Sequence, residues 1–335
     1  MIEQIMSLSP VIPYIVLVVS FVALIKGADI FVEGASSLAK KLGVSAAVIG
    51  LTIVAMGTSA PEAAVSISAA LKGSNEIALG NVVGSNLFNL LMVLGICMII
   101  TKLPTQKETL KRDFPWNVIA TVAIIAFIVF FDTKITRLEG IALLVLFVSY
   151  MGYLLYKTLK DRKSADEDDE IEEVSLAKSL IFLVIGLALV IVGGDLVVDS
   201  ATSIARSWGV SDALIGLTIV AMGTSLPELV TSIVAARKGE SDMAIGNVIG
   251  SNLFNLLFIL GMTATIMPVA IDLASGILID TIILLAVTVM MYIFSATGNK
   301  LQKAEGVVAV LFEKINKILV ENQNLEMQKR KEHHN

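Results

Sequence analysis

Apolar residues fall in long runs, near residues 11–33, 44–71, 77–101, 114–131 and 138–156, then near 176–199, 210–236, 243–268 and 276–296, with a weaker run at 304–320. A helix needs about 20 residues to cross the hydrocarbon of a bilayer. The pattern therefore predicts an all-α polytopic membrane protein of about ten transmembrane helices. The last run is set apart, because Glu313, Lys314, Asn316 and Lys317 interrupt it and a central charge costs about 2.5–3.5 kcal/mol to insert. Leu311, Phe312, Ile315, Ile318 and Leu319 share one helical face, as in a helix lying in the interface. The chain from Glu313 onward is thus expected at the membrane surface rather than across it.

Polar stretches divide these runs into two sets. The longest before the tail is KDRKSADEDDEIEEVS, Lys160 to Ser175. The expected organisation is a first five-helix repeat at 1–160, an acidic linker at 161–175, a second repeat at 176–320 and a polar tail at 321–335. The halves repeat at a constant offset of 166, without a gap from Gly27/Gly193 to Gly95/Gly261, and 33 of 47 positions are identical between Ile49 and Gly95. Five is odd, so the second copy must start from the opposite side of the membrane, which predicts an inverted repeat. With the N-terminus outside, the inner loops hold fifteen Lys and Arg, against Lys72, Lys134, Arg137 and Arg206 in the outer loops. That asymmetry predicts the cell (plasma or inner) membrane, with the N-terminus outside and the linker in the cytoplasm.

Composition sharpens this picture. The chain of 335 residues is 56% hydrophobic and 16% charged, with a mean hydropathy of +0.83, too apolar for a soluble protein of this size. The net charge of −5 is concentrated in loops and tail and gives no support for nucleic-acid binding. Cys97 is the only cysteine and His333 and His334 are terminal, so neither a disulfide nor a thiolate metal site is available. Met1 to Pro10 has no basic n-region or A-x-A-like cleavage site, so the first run is expected to stay as a span.

Candidate chemistry lies in two duplicated motifs. GLTIVAMGTSAPEAAVSISAALKG at Gly50–Gly73 recurs as GLTIVAMGTSLPELVTSIVAARKG at Gly216–Gly239. Each sets an acid, Glu62 or Glu228, behind a helix-breaking proline, Pro61 or Pro227. Proline has no N–H for the carbonyl four residues earlier and disturbs the preceding turn, which frees backbone oxygens near Thr58 and Thr224. Two carboxylates beside free carbonyls suit a hard cation, and ionisable residues inside a membrane are functional by default. The second motif, GNVVGSNLFN at Gly80–Asn89, recurs as GNVIGSNLFN at Gly246–Asn255. Asn81, Ser85 and Asn89, like Asn247, Ser251 and Asn255, are spaced i, i+4, i+8, so a helix puts their oxygens on one stripe beside small residues. A single such stripe would be packing glue; duplication beside the Pro-Glu motif argues for ligands. Asp29, Asp195, Glu33 and Asp199 also match across the repeat, but they lie nearer the run ends, where pairing or gating is the favoured role.

On these residues the sequence resembles the sodium/calcium exchanger family of cation/calcium antiporters, in particular its short prokaryotic members, from Gly27 to about Phe312. The resemblance implies a ten-helix inverted-repeat fold with four adjacent cation sites. It implies that Glu62, Glu228 and the carbonyls of Thr58 and Thr224 bind calcium, and that Ala55, Ala221, Ser59, Ser225, Ser85 and Ser251 contribute to flanking sodium sites. Asn89 and Asn255 fall at the central pair of the later motif, and Asn255 departs from the family pattern, in which Asp is common there. The regulatory domains of eukaryotic members have no counterpart in the linker.

The function expected is a secondary antiporter, not an enzyme, that exchanges calcium for sodium at a midplane cluster exposed alternately to each side. The expected partners are inorganic cations and the lipid bilayer, with no cofactor, no nucleic acid and no inferable protein partner. Two rivals remain: a cation/proton antiporter, in which Glu62 and Glu228 carry protons, and a cation channel.

Overall fold

Helices form where the apolar runs predict them. The structure, a computed structural model, describes residues 9–72, 75–130, 134–162, 175–210, 215, 219–271 and 276–315. In chain order the first half has α1 (Ile12–Leu42), α2 (Ala46–Thr58), α3 (Ala60–Leu71), α4 (Ala78–Ile100), α5 (Thr109–Phe130) and α6 (Arg137–Arg162). The second has α7 (Leu176–Ser207), α8 (Ala221–Gly223), α9 (Leu226–Arg237), α10 (Ser241–Ile266), α11 (Ile277–Ala296) and α12 (303–315).

Among the described residues seven helices are long and apolar enough to cross a membrane, or eight if α2 and α3, bent by 48°, count as one span. The bend falls at Ser59, where Pro61 enforces it. The run at 210–236 is only partly described. The linker from Lys163 to Val174 and the chain from Asn316, including the polar tail, lie outside the described residues. Apolar side chains such as Val18, Phe130, Val148 and Val184 are more than 60% exposed, as a surface solvated by lipid tails requires. With these helices the chain is an integral membrane protein.

The longest helices, α1 and α7, pack closely through small residues. A Cβ on Gly27 or Gly34 would strike Leu189 or Phe182, and one on Gly186 or Gly193 would strike Phe31 or Leu24. Elsewhere the two halves interlock. Gly140 of α6 sits on Gly261 of α10, and Gly306 of α12 sits on Gly95 of α4. In α12, Ala309 and Glu313 are buried, whereas Leu311, Phe312 and Ile315 face outward.

The fold departs from a pure helical bundle in one respect. Four two-residue strands, β1 (Leu103–Pro104), β2 (Lys134–Ile135), β3 (Val269–Ala270) and β4 (Lys300–Leu301), form two antiparallel ribbons, β1 with β4 and β2 with β3. Each ties a loop of one half to a loop of the other. The physical reason is backbone satisfaction, since extended loop segments packed between helices need partners for their N–H and C=O groups.

Candidate cation site

The two Pro-Glu motifs meet at the centre of the bundle. Glu62 stands in the first turn of α3 and Glu228 in the first turn of α9, both fully buried. Each acid is held by the other half's motif. Ser59 Oγ donates to Glu228 Oε1 at 2.7 Å, and Ser225 Oγ donates to Glu62 Oε1 at 3.0 Å. Ser251 Oγ adds a longer contact to Glu228 Oε1 at 3.5 Å and reaches the Ala55 carbonyl at 3.4 Å. The second oxygens, Glu62 Oε2 and Glu228 Oε2, have no hydrogen-bond partner among the described residues.

Contrary to what the proline alone predicts, the broken helix does not leave the Gly57 carbonyl free, because a backbone N–H at the bend reaches it. Across the bend, Ser59 N bonds Ala55 O and Ala63 N bonds Ser59 O. Leu229 N bonds Ser225 O in the same way. The Thr58 hydroxyl is buried and contacts Asn247 Oδ1 at 3.1 Å. The Thr224 hydroxyl has no partner among the described residues.

The motif of α4 and α10 flanks the centre on both sides. Asn81 Nδ2 donates to Ser66 Oγ at 3.0 Å, and Asn247 Nδ2 donates to Ser232 Oγ at 2.8 Å. These two residues of the stripe tether α4 to α3 and α10 to α9. Ser85 and Ser251 are buried one turn further on. Asn89 and Asn255 are fully buried, and their Oδ1 atoms, like the free carboxylate oxygens, lack hydrogen-bond partners among the described residues. Wide π-helical turns at Asn89–Val93 and Phe254–Ile259 contain them, a departure often found at functional positions.

Of the twelve sequence-derived site residues, the structure joins most in one polar centre. Ala55 offers its carbonyl to Ser251, and Ala221 opens the short helix α8. No described group of three or more His, Cys, Asp or Glu could hold a metal ion, so neutral oxygens must complete any cation shell around the two carboxylates.

Two groups escaped the sequence reading. Asn86 and Asn252 are buried and bond to Asn255 and Asn89. Their signal was a third duplicated amide, placed three residues before each ligand candidate. The second group is Arg112, Asp113 and Tyr150, a buried pair with Arg112 Nε 2.5 Å from Asp113 Oδ1, to which the Tyr150 hydroxyl also donates. Asp29 pairs as expected, but with Lys238 at 2.6 Å.

Fold and centre together define a helical integral membrane protein with an oxygen-lined polar core. A profile described as sodium/calcium exchanger protein matches residues 12–156 and 178–312, and the chain belongs to that family of cation exchangers. It is 36% identical to the sodium/calcium exchanger MaX1 of Methanosarcina acetivorans, covering 89% of this chain and 95% of that protein. It is also 36% identical to the inner membrane protein YrbG of Escherichia coli, covering 76% and 80%. Among solved structures, the sodium-calcium exchanger NCX_Mj soaked with 2.5 mM Na+ and 0.1 mM Sr2+ matches with a TM-score of 0.79 and 31% identity, over 92% of this chain and 98% of that one.

Proposed function

We propose that the chain exchanges calcium for sodium by alternating access at the polar centre, with Glu62, Glu228 and the oxygens around them as ligands. The observation that carries this reading is the set of four buried oxygens without hydrogen-bond partners among the described residues, Glu62 Oε2, Glu228 Oε2, Asn89 Oδ1 and Asn255 Oδ1. A buried acceptor left unpaired costs about 1–3 kcal/mol, and more when charged. Four acceptors in one connected centre are explained by a guest that accepts nothing and attracts oxygen, which is a cation. Two carboxylates match one divalent ion or two monovalent ions, so calcium and sodium compete for the same charge. Thr58 and Thr224 contribute carbonyls, and Ser59, Ser225, Ser85, Ser251, Ala55, Ala221, Asn89 and Asn255 line the flanking positions.

The proposal includes the topology. The halves at 1–160 and 176–320 run in opposite directions, the full chain crosses about ten times with the last helix shallow, and the linker at 161–175 is cytoplasmic. Loop charge supports an N-terminus outside. The names of MaX1 and NCX_Mj support sodium as the counter-ion, and that of YrbG supports the inner membrane.

The test is calcium uptake by proteoliposomes under an imposed sodium gradient. Uptake that follows the sodium gradient and stops when it is collapsed is expected. Uptake driven by a pH gradient without sodium would favour the proton antiporter, and calcium leakage without counterflow would favour a channel.

A further inference from the structure

Asn86 and Asn252 sit beside the cation centre, belong to neither Pro-Glu motif and touch no carboxylate. Both are essentially inaccessible. Asn86 Nδ2 donates to the Asn252 carbonyl and Asn252 Nδ2 donates to the Asn86 carbonyl, each at 3.2 Å. A backbone carbonyl only accepts, so the nitrogen of each amide must face it and the oxygen must point the other way. Those oxygens meet the neighbouring amides: Asn86 Oδ1 accepts from Asn255 Nδ2 at 2.9 Å, and Asn252 Oδ1 accepts from Asn89 Nδ2 at 3.2 Å. The chain of constraints ends at Asn89 Oδ1 and Asn255 Oδ1, the two amide oxygens left without partners.

We propose that Asn86 and Asn252 are positioning residues that lock the side-chain amides of Asn89 and Asn255, turning their oxygens toward the bound cation and accepting only a hydrogen-bond donor at positions 89 and 255. The proposal rests on the reading of Asn89 and Asn255 as ligands. Four amides bridge the two halves, so neither ligand can rotate without leaving the buried side-chain oxygen of Asn252 or Asn86 in the opposite half without its donor. That gives the centre neutral oxygens of fixed direction. It also sets a rule for the departure at Asn255: a carboxylate there would put an anionic oxygen against Asn86 Oδ1, while a protonated carboxyl could donate to it as the amide does.

The relay predicts non-additive binding. Asn86→Ala and Asn252→Ala each weaken calcium binding to the purified protein by about tenfold, the lower end for residues that orient a metal ligand. In an Asn255→Ala background, Asn86→Ala has no further effect, because the ligand it positions is gone. A residue that only supported the fold would weaken binding by the same factor in both backgrounds. The relay is overturned if the alanine variants bind calcium as wild type does, or if the effect of Asn86→Ala persists without Asn255. Wild-type protein that binds calcium without sodium-driven uptake would overturn the exchange reading and leave the binding arm to decide the relay.

Discussion

Helices α4 and α10 carry nearly the same motif, and the protein treats them differently. On α10, Gly246 and Gly250 are buried against α2, so closely that an added Cβ would lie 2.7 Å from the Ala47 carbonyl and 2.6 Å from the Leu51 carbonyl. On α4, Gly80 and Gly84 are exposed, and an added Cβ would meet no described atom within 4 Å. Asn247 is 1% exposed and receives the Thr58 hydroxyl, whereas Asn81 is half-buried and the Thr224 hydroxyl is unpartnered among the described residues. Asp29 is bound by Lys238, but no ion pair joins the equivalent Asp195 and Lys72 among the described residues. Among the described residues the α10 side of the centre is thus covered and the α4 side is not. Identical residues in two environments are what the alternating access proposed above requires of the motif, and under the proposed topology the uncovered side would face outward.

The comparison is sharpened or broken by four experiments. The largest effect is expected at the centre, where the two sides are alike: Glu62→Gln and Glu228→Gln each abolish sodium-driven calcium uptake, by more than about a hundredfold, because a divalent ion needs both charges in a medium where charge is poorly screened. Uptake near wild type in either variant would break the symmetry of the pair. Next come the glycines. Gly250→Ala destabilises the protein, by about 1–3 kcal/mol for overpacking, visible as a lower melting temperature. Gly84→Ala leaves the melting temperature within a few degrees but cuts uptake about tenfold or more, if the outer side must close as the inner side does. Full uptake by Gly84→Ala would show that this side never seals through α4.

A smaller difference is expected between Thr58→Val and Thr224→Val. The first strips Asn247 Oδ1 of a buried partner and costs about 1–3 kcal/mol; the second removes a hydroxyl without a described partner and costs less. Equal shifts in melting temperature would remove the asymmetry. The smallest effect belongs to Lys238→Ala. The Asp29 pair is partly exposed, with side chains 33% and 41% accessible, and such pairs contribute about 0–1 kcal/mol. That is enough to move a balance between two conformations several-fold. The only native cysteine, Cys97, is buried, so a Gly80→Cys variant reports access: its labelling by an impermeant external reagent falls when Lys238→Ala is added. Unchanged labelling would exclude the ion pair from the inner seal.

The broken helix, the facing carboxylates and the serines were legible in the sequence because proline chemistry is local and duplication marked the residues that matter. The same reliance on duplication hid Arg112, Asp113 and Asn117. Their equivalents at offset 166 are Leu278, Ile279 and Ile283, so no repeat flagged them, yet Asn117 Nδ2 reaches the Ile249 carbonyl of α10 at 3.3 Å beside the sealed glycine. Asn86 and Asn252 were duplicated but fell off the i, i+4, i+8 stripe. Their role depends on which carbonyl of the other half they face, and that is a tertiary fact. Nothing in hydropathy foretells ribbons of two residues such as β1 with β4, because pairing of that length is fixed by where helix ends fall and not by propensity.

Those ribbons also constrain how the protein is made. Leu103 pairs with Leu301, and Lys134 pairs with Ala270, so the first half cannot finish its loops until most of the second has left the ribosome. At about 5–20 residues per second, roughly 200 residues of waiting is about 10–40 s. For the first part of that interval, until Ser225 follows 163 residues behind it, Glu62 lacks the serine hydroxyl that later caps it. Until then the nascent first half keeps a helix-breaking proline and an acid in the membrane without the partner that the second half supplies.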